Sequence, residues 1–95
     1  MNYKESFLAY LQVEKRYSPH TVRSYLNDLD QFAVFLSSLG LPDDPVLVTS
    51  HDIRSWIVSM MEDGYSTSSV HRKISCLRVF YHYLRKEGMV MNDPL

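Results

Sequence analysis

The chain has 95 residues, of which 45% are apolar and 13% aromatic, enough to bury one core and too few for two, so a multi-step enzyme with its own substrate domain is excluded. A charged fraction of 22% beside that apolar content also excludes a disordered linker. The net charge of -1 argues against a uniformly basic nucleic-acid binder, yet Lys15, Arg16 and Arg23 in residues 15–26 and Arg72, Lys73, Arg78, Arg85 and Lys86 in residues 64–86 stand without any acid, while residues 27–63 hold seven acids against Arg54 alone.

The first predicted helix spans Tyr3 to Lys15, with Phe7, Leu8, Tyr10, Leu11 and Glu14 recurring on one face. Ser18-Pro19 starts a second: the serine hydroxyl accepts from a first-turn N–H, and proline at the first helical position has no N–H to leave unpaired. On a wheel centred on Leu29, the residues Val22, Tyr25, Leu26, Phe32, Ala33 and Leu36 fall within about 60°, a core-facing stripe. His20, Arg23, Ser24, Asn27 and Gln31 fall opposite. Gly40 ends this helix, and Pro42-Asp43-Asp44-Pro45 forms a loop. Thr49 or Ser50 caps a third helix with Asp52 in its first turn and Ile53, Trp56, Ile57, Met60 and Met61 as its apolar face, up to Gly64. The fourth and longest helix opens at Ser66 to Ser69, repeats Val70, Ile74, Leu77, Phe80, Tyr81 and Leu84, and stops at Gly88. Its reverse side carries Ser68, Arg72, Ser75, His82 and Lys86. Asn92-Asp93-Pro94 reads as a domain edge, so residues 1–91 form one domain and residues 92–95 begin a linker.

Catalytic chemistry is not legible. No Gly-rich phosphate loop, HExxH, GxSxG or calcium loop occurs, and His20, His51, His71 and His82 are not spaced to share a metal, so no cofactor and no metal are expected. Asp43-Asp44 and Glu62-Asp63 sit beside loop formers as solvated ends. Cys76 has no internal disulfide partner and reads as a small buried hydrophobe, which suits a reducing compartment. Early charges at Lys4, Glu5 and Glu14 exclude a signal peptide, and no later run reaches span length, so a cytoplasmic protein with no membrane partner is expected. Phe80, Tyr81 and Tyr83 have π faces on which bases could stack, but helical spacing assigns Phe80 and Tyr81 to the core.

Two helix starts carry the positive case. Ser18, His20, Thr21, Arg23, Ser24 and Asn27 decorate one, and Ser66, Thr67, Ser68, Ser69, His71, Arg72 and Lys73 the other. Helix amino ends present unpaired donors and a positive dipole, hydroxyls add short hydrogen bonds, and arginine or lysine adds charge and reach into a major groove. The same residues also fit plain capping with solvated charges, and the residues alone leave both readings open.

The strings SFLAYLQVEKRYSPHTVRSYLNDLDQFAVFL and STSSVHRKISCLRVFYHYLRKEGMVMNDPL resemble the amino-terminal core-binding domain of tyrosine recombinases of the phage integrase and Xer group. The resemblance covers nearly the whole chain and is carried by Ser18, Thr21, Tyr25, Asp28 and Leu29 in the second helix and by Arg72, Ile74, Ser75, Leu77, Arg78, Phe80, Tyr81 and Leu84 in the fourth. It implies an all-α, four-helix, SAM-like orthogonal bundle forming half of a clamp on double-stranded DNA. In that family the catalytic arginines, histidine and nucleophilic tyrosine lie in a carboxy-terminal half, so residues 92–95 would lead toward that domain and none of the seven tyrosines here is the nucleophile. Strand exchange there runs through a phosphotyrosyl link without metal or nucleotide.

The resemblance places the second and fourth helices in the major groove, with Thr21, Arg23, Ser24, Ser68, Ser69, Arg72 and Lys73 facing DNA. Arg72 leads this set because it points away from the apolar stripe, whereas Lys73 lies nearer the core edge. Val34, Phe35 and Val79 are expected to be exposed and to meet neighbouring protomers in a tetrameric synapse, the isolated domain being monomeric. Asp28 and Asp30 limit DNA contact to the helix starts. The expectation depends on two neighbouring amino ends and on Arg72 being free of an internal ion pair. The rival from another class is a helical protein–protein interaction domain with no DNA role. A helix-turn-helix regulator fits less well, because the fourth helix is too long and hydrophobic for a recognition helix.

Overall fold

The computed structural model describes residues 3–95, and among these the secondary structure is entirely helical. Helix α1 (Lys4–Ala9) runs into one π-helical turn (Tyr10–Glu14), and α2 (Pro19–Ser38), α3 (Ser50–Glu62) and α4 (Thr67–Lys86) follow, with a short 3-10 turn (Pro45–Leu47) before α3. The expected single α-helix from Tyr3 to Lys15 is thus modified. Its last turn widens, with the Lys15 N–H donating to the Tyr10 carbonyl and the Tyr17 N–H to that of Leu11, and Arg16 closes it with φ 53. The widened turn keeps Tyr10 and Leu11 side by side in the core beside Phe7, while Val13 is exposed.

Capping explains the other starts. Ser18 Oγ accepts from the Thr21 N–H, Ser66 Oγ from the Ser69 N–H, and Thr49 with Asp52 forms a reciprocal capping box. At the other ends Gly40, Gly64 and Gly88 all adopt positive φ, the conformation that lets the chain leave a helix without a Cβ clash.

Helix α4 is the hub of the core. Phe7 of α1 meets Phe80 edge-on at 5.0 Å, Tyr10 lies 4.9 Å from Tyr83, and Phe32 of α2 packs 4.9 Å from Trp56 of α3. Tyr81 is wholly buried, and its hydroxyl donates to the Pro45 carbonyl at 2.7 Å, tying α4 to the turn that precedes α3. Tyr83 belongs to the same core, which removes it as a platform for stacking bases. The tail folds back rather than trailing off: Val90 is buried, and the Ser50 hydroxyl donates to the Pro94 carbonyl at 2.7 Å. No helix among the described residues is long and apolar enough to cross a membrane.

Candidate nucleic-acid interface

The seam between α2 and α4 holds the polar centre of the domain. Asp28, one residue before the middle of the α2 stripe, is fully buried, and its carboxylate accepts from Arg72 Nε at 3.1 Å, Arg72 Nη2 at 2.8 Å and Lys73 Nζ at 2.8 Å. Lys73 also donates to Gln31 Oε1, and the Cys76 thiol donates to the Tyr25 carbonyl at 3.2 Å. No buried side-chain N or O among the described residues lacks a partner, so the burial of the two charges of Asp28 and Lys73 is compensated by hydrogen bonds. The charge-assisted bonds to Asp28 hold the Arg72 guanidinium even more firmly protonated than usual, against a small opposing effect of burial. Burial pushes the Cys76 thiol well above its ordinary 9.0, with the nearby Asp28 charge adding to it, so the cysteine stays a protonated structural donor.

Two expectations change here. Lys73, placed by sequence among the DNA-facing residues, lies inside: its side chain is 3% exposed and spends its charge on Asp28. Arg72 is not free of an internal pair, but its side chain remains 46% exposed, whereas that of Asp28 is 0% exposed. Asp28 is therefore no acid on the outer surface of α2.

The amino ends of α2 and α4 are also not neighbours. Tyr25 of α2 meets Cys76 of α4, while Gln31, further along α2, meets Lys73, earlier in α4, so the contacts run in opposite senses along the two helices. Each start lies on its own side of the crossing, roughly 10 Å away at 1.5 Å per residue, and Arg72 sits on the seam between them.

At the α2 start, Ser18 and Thr21 are engaged with each other, the Ser18 hydroxyl donating to Thr21 Oγ1 at 3.1 Å, while Arg23 is exposed and makes no ion pair among the described residues. Ser24 is half-buried beside it. The α4 start repeats the arrangement: the Ser66 hydroxyl donates to Ser69 Oγ at 3.0 Å, and Ser68 is exposed. Arg16, Arg78 and Arg85 are exposed cations outside any ion pair among the described residues. Two other surface bases are tied down, Lys4 to Asp30 and Lys86 to Glu14, both at 2.8 Å, whereas Lys15 and Arg54 are exposed. Of the apolar residues expected outside, Val34 is 69% exposed, but Phe35 and Val79 are partly buried against the core. Among the described residues no group of His, Cys, Asp and Glu could hold a metal ion.

Sequence reasoning missed Asp28 and Gln31 as partners of α4. The available signal was spacing: Asp28 falls between Tyr25 and Phe32, and Lys73 between Val70 and Leu77, each at a core-facing interval.

Among known proteins, the chain is 48% identical over 97% of its length to the tyrosine recombinase XerC of Oceanobacillus iheyensis. It is 38% identical over 94% of its length to that of Lacticaseibacillus casei, and 39% identical over 94% to that of Alcanivorax borkumensis. These matches cover 30%, 30% and 28% of the three relatives, so the chain spans less than a third of the curated proteins it matches. No solved structure matches it. The sequence profile of the phage integrase N-terminal SAM-like domain matches residues 5–88, and with the all-helical fold and the capped helix starts in place, the chain belongs to that family.

Proposed function

We propose that this chain is the DNA-binding module of a XerC-like tyrosine recombinase, half of a clamp on duplex DNA during strand exchange in integration, excision or chromosome-dimer resolution. The chemistry of cutting and rejoining would then belong to the part of such proteins that lies beyond the 30% matched here. The observation that carries the reading is a set of three features on α2 and α4: a serine-capped start with exposed Arg23, the half-exposed Arg72 on the seam, and a second serine-capped start with exposed Ser68. Thr21, Arg23, Ser24, Ser68, Ser69 and Arg72 are the proposed contacts; Lys73 acts from inside. Other protomers are proposed as partners in the assembled synapse, with Val34 on the exposed side of α2 as a contact. The cytoplasm, where such DNA lies, is the proposed location.

Fluorescence anisotropy of a labelled duplex titrated with the chain tests the reading. Binding is expected at low salt, weakened by Arg72→Ala and by Arg23→Glu. With two arginines, Arg23 and Arg72, each neutralising a phosphate, the logarithm of the association constant should fall with the logarithm of salt at a slope near about -2. Absence of binding at about 50 mM salt, together with a stable complex with a protein partner, would instead establish a protein–protein interaction domain.

A further inference from the structure

The proposed interface leaves a question of charge and geometry at its centre. Asp28, Lys73 and Arg72 together carry one acid and two bases, a surplus of one positive charge, and only Arg72 reaches solvent. The carboxylate takes the guanidinium from the side, through Nε and Nη2, which leaves both Nη1 hydrogens and the second Nη2 hydrogen unused. These form the outer end of the fork, two parallel N–H groups that match a pair of acceptors, such as two phosphate oxygens or the O6 and N7 of guanine. Lys73 contributes by neutralising Asp28 from the buried side, so the clamp does not cancel the charge of Arg72.

Resting on the DNA-binding reading, we propose that Asp28 and Lys73 are positioning residues: a buried bracket that fixes Arg72 on the α2–α4 seam with its outer edge presented to paired acceptors on DNA. A free arginine on a helix surface must lose rotamer freedom when it binds. Here that freedom is already removed by folding, and the bond that removes it crosses between the two helices flanking the proposed contact. The bracket also fixes where Arg72 stands relative to Arg23 and Ser68, because Asp28 belongs to α2 and Arg72 to α4.

The test is a double-mutant cycle on the whole 95-residue chain. Asp28→Asn with Lys73→Met keeps both side-chain volumes and removes the two buried charges together. The carboxamide offers one oxygen where the carboxylate offered two, so the sideways clamp on Arg72 is broken. Circular dichroism and urea unfolding establish that the double variant is folded. Duplex affinity is expected to fall about fivefold, the range for an unrestrained long side chain, and to be unchanged when the same pair is made in an Arg72→Ala background. In the parent the Arg72 Nε–H should give a slowly exchanging NMR signal that the double variant loses.

Measuring affinity at several salt concentrations and on duplexes differing at single base pairs separates the two acceptor sources. A loss that flattens the salt slope uniformly across duplexes assigns the edge to phosphate, and a loss confined to particular base pairs assigns it to guanine. An equal loss with and without Arg72 would overturn the proposal by making the bracket merely structural, and no loss in the chain that retains Arg72 would overturn it directly. If Arg72→Ala itself leaves affinity unchanged while Arg23→Glu lowers it, the bracket falls and the DNA-binding reading stands. If the parent chain binds no duplex at low salt, both fall.

Discussion

Replacing Asp28 by asparagine changes almost no volume and removes one charge, so its effect on stability reports electrostatics rather than a cavity. The ammonium of Lys73, 3% exposed, would keep Gln31, the face of the Tyr65 ring at 5.4 Å and a neutral carboxamide as partners, none of them an opposite charge. Breaking a buried pair by removing one partner costs about 3–5 kcal/mol, because the charge left behind still has no water. The total stability of a domain this size is about 5–15 kcal/mol, so the loss is a large share of it. With a urea dependence of about 1–3 kcal/mol per molar, the unfolding midpoint should fall by roughly 2 M. Adding Lys73→Met should reverse most of the loss, since removing both buried charges together is often neutral or stabilising. The assay is urea unfolding followed by the fluorescence of the single Trp56, buried against Phe32, and by circular dichroism. A midpoint for Asp28→Asn within about 0.3 M of the parent, or a double variant less stable than the single, would refute the argument that these two charges compensate each other inside the protein.

Four more outcomes are expected. Ser18→Ala and Ser66→Ala should each cost about 1 kcal/mol in urea unfolding, additively, because each removes a first-turn acceptor and the two caps share no partner. Arg16→Gly should stabilise by about 1 kcal/mol, since φ 53 suits glycine and strains a residue with a Cβ; an unchanged or lower thermal midpoint would count against strain there. Stability should be full below pH 9 and decline above it, because burial raises the Cys76 thiol from 9.0 and the Tyr81 phenol from 10.0. The folded chain then holds protons that the unfolded chain releases, and stability falls with pH wherever that is so. Tyr81→Phe should be less stable at pH 7, through loss of the bond to the Pro45 carbonyl, and should show a shallower decline toward pH 10.5.

Much of the fold is written locally. Ser18-Pro19, Thr49 with Asp52, and Ser66 mark three helix starts, and Gly40, Gly64 and Gly88 mark the stops, because capping and positive φ are properties of a few adjacent residues. The π-helical turn was not legible, since it arises from Tyr10 and Leu11 both seeking the core against α4. For the candidate site the wheel placed Arg23 and Ser68 outside, where they are. It could not place Asp28 and Lys73, because a charge at a core-facing interval looks like an error in one helix until the second helix supplies its partner 45 residues away. The opposite sense of the α2–α4 contacts is likewise beyond a reading of single helices, since two amino ends can share a composition without sharing a location.

The same pairing bears on the conflict between a net charge of -1 and the proposed anionic partner. Three of the acids are spent: Asp28 inside, Asp30 on Lys4 and Glu14 on Lys86. Asp44, Asp52, Glu62 and Asp63 belong to α3 and the turns at its ends, with Asp44 and Asp52 serving as caps. What α2 and α4 show to solvent around their seam is therefore Arg23 and Arg72, with Arg78 further along α4, all exposed. Charges beyond about a Debye length, roughly 10 Å at 0.1 M salt, are largely screened. The sign that a phosphate would meet at Arg72 is set first by those few arginines and by the positive surplus that buried Lys73 lends to Arg72, while Asp63, which lines one hollow with Asn27, Asp30 and Gln31, is an acid of the α3 end that shares this neighbourhood.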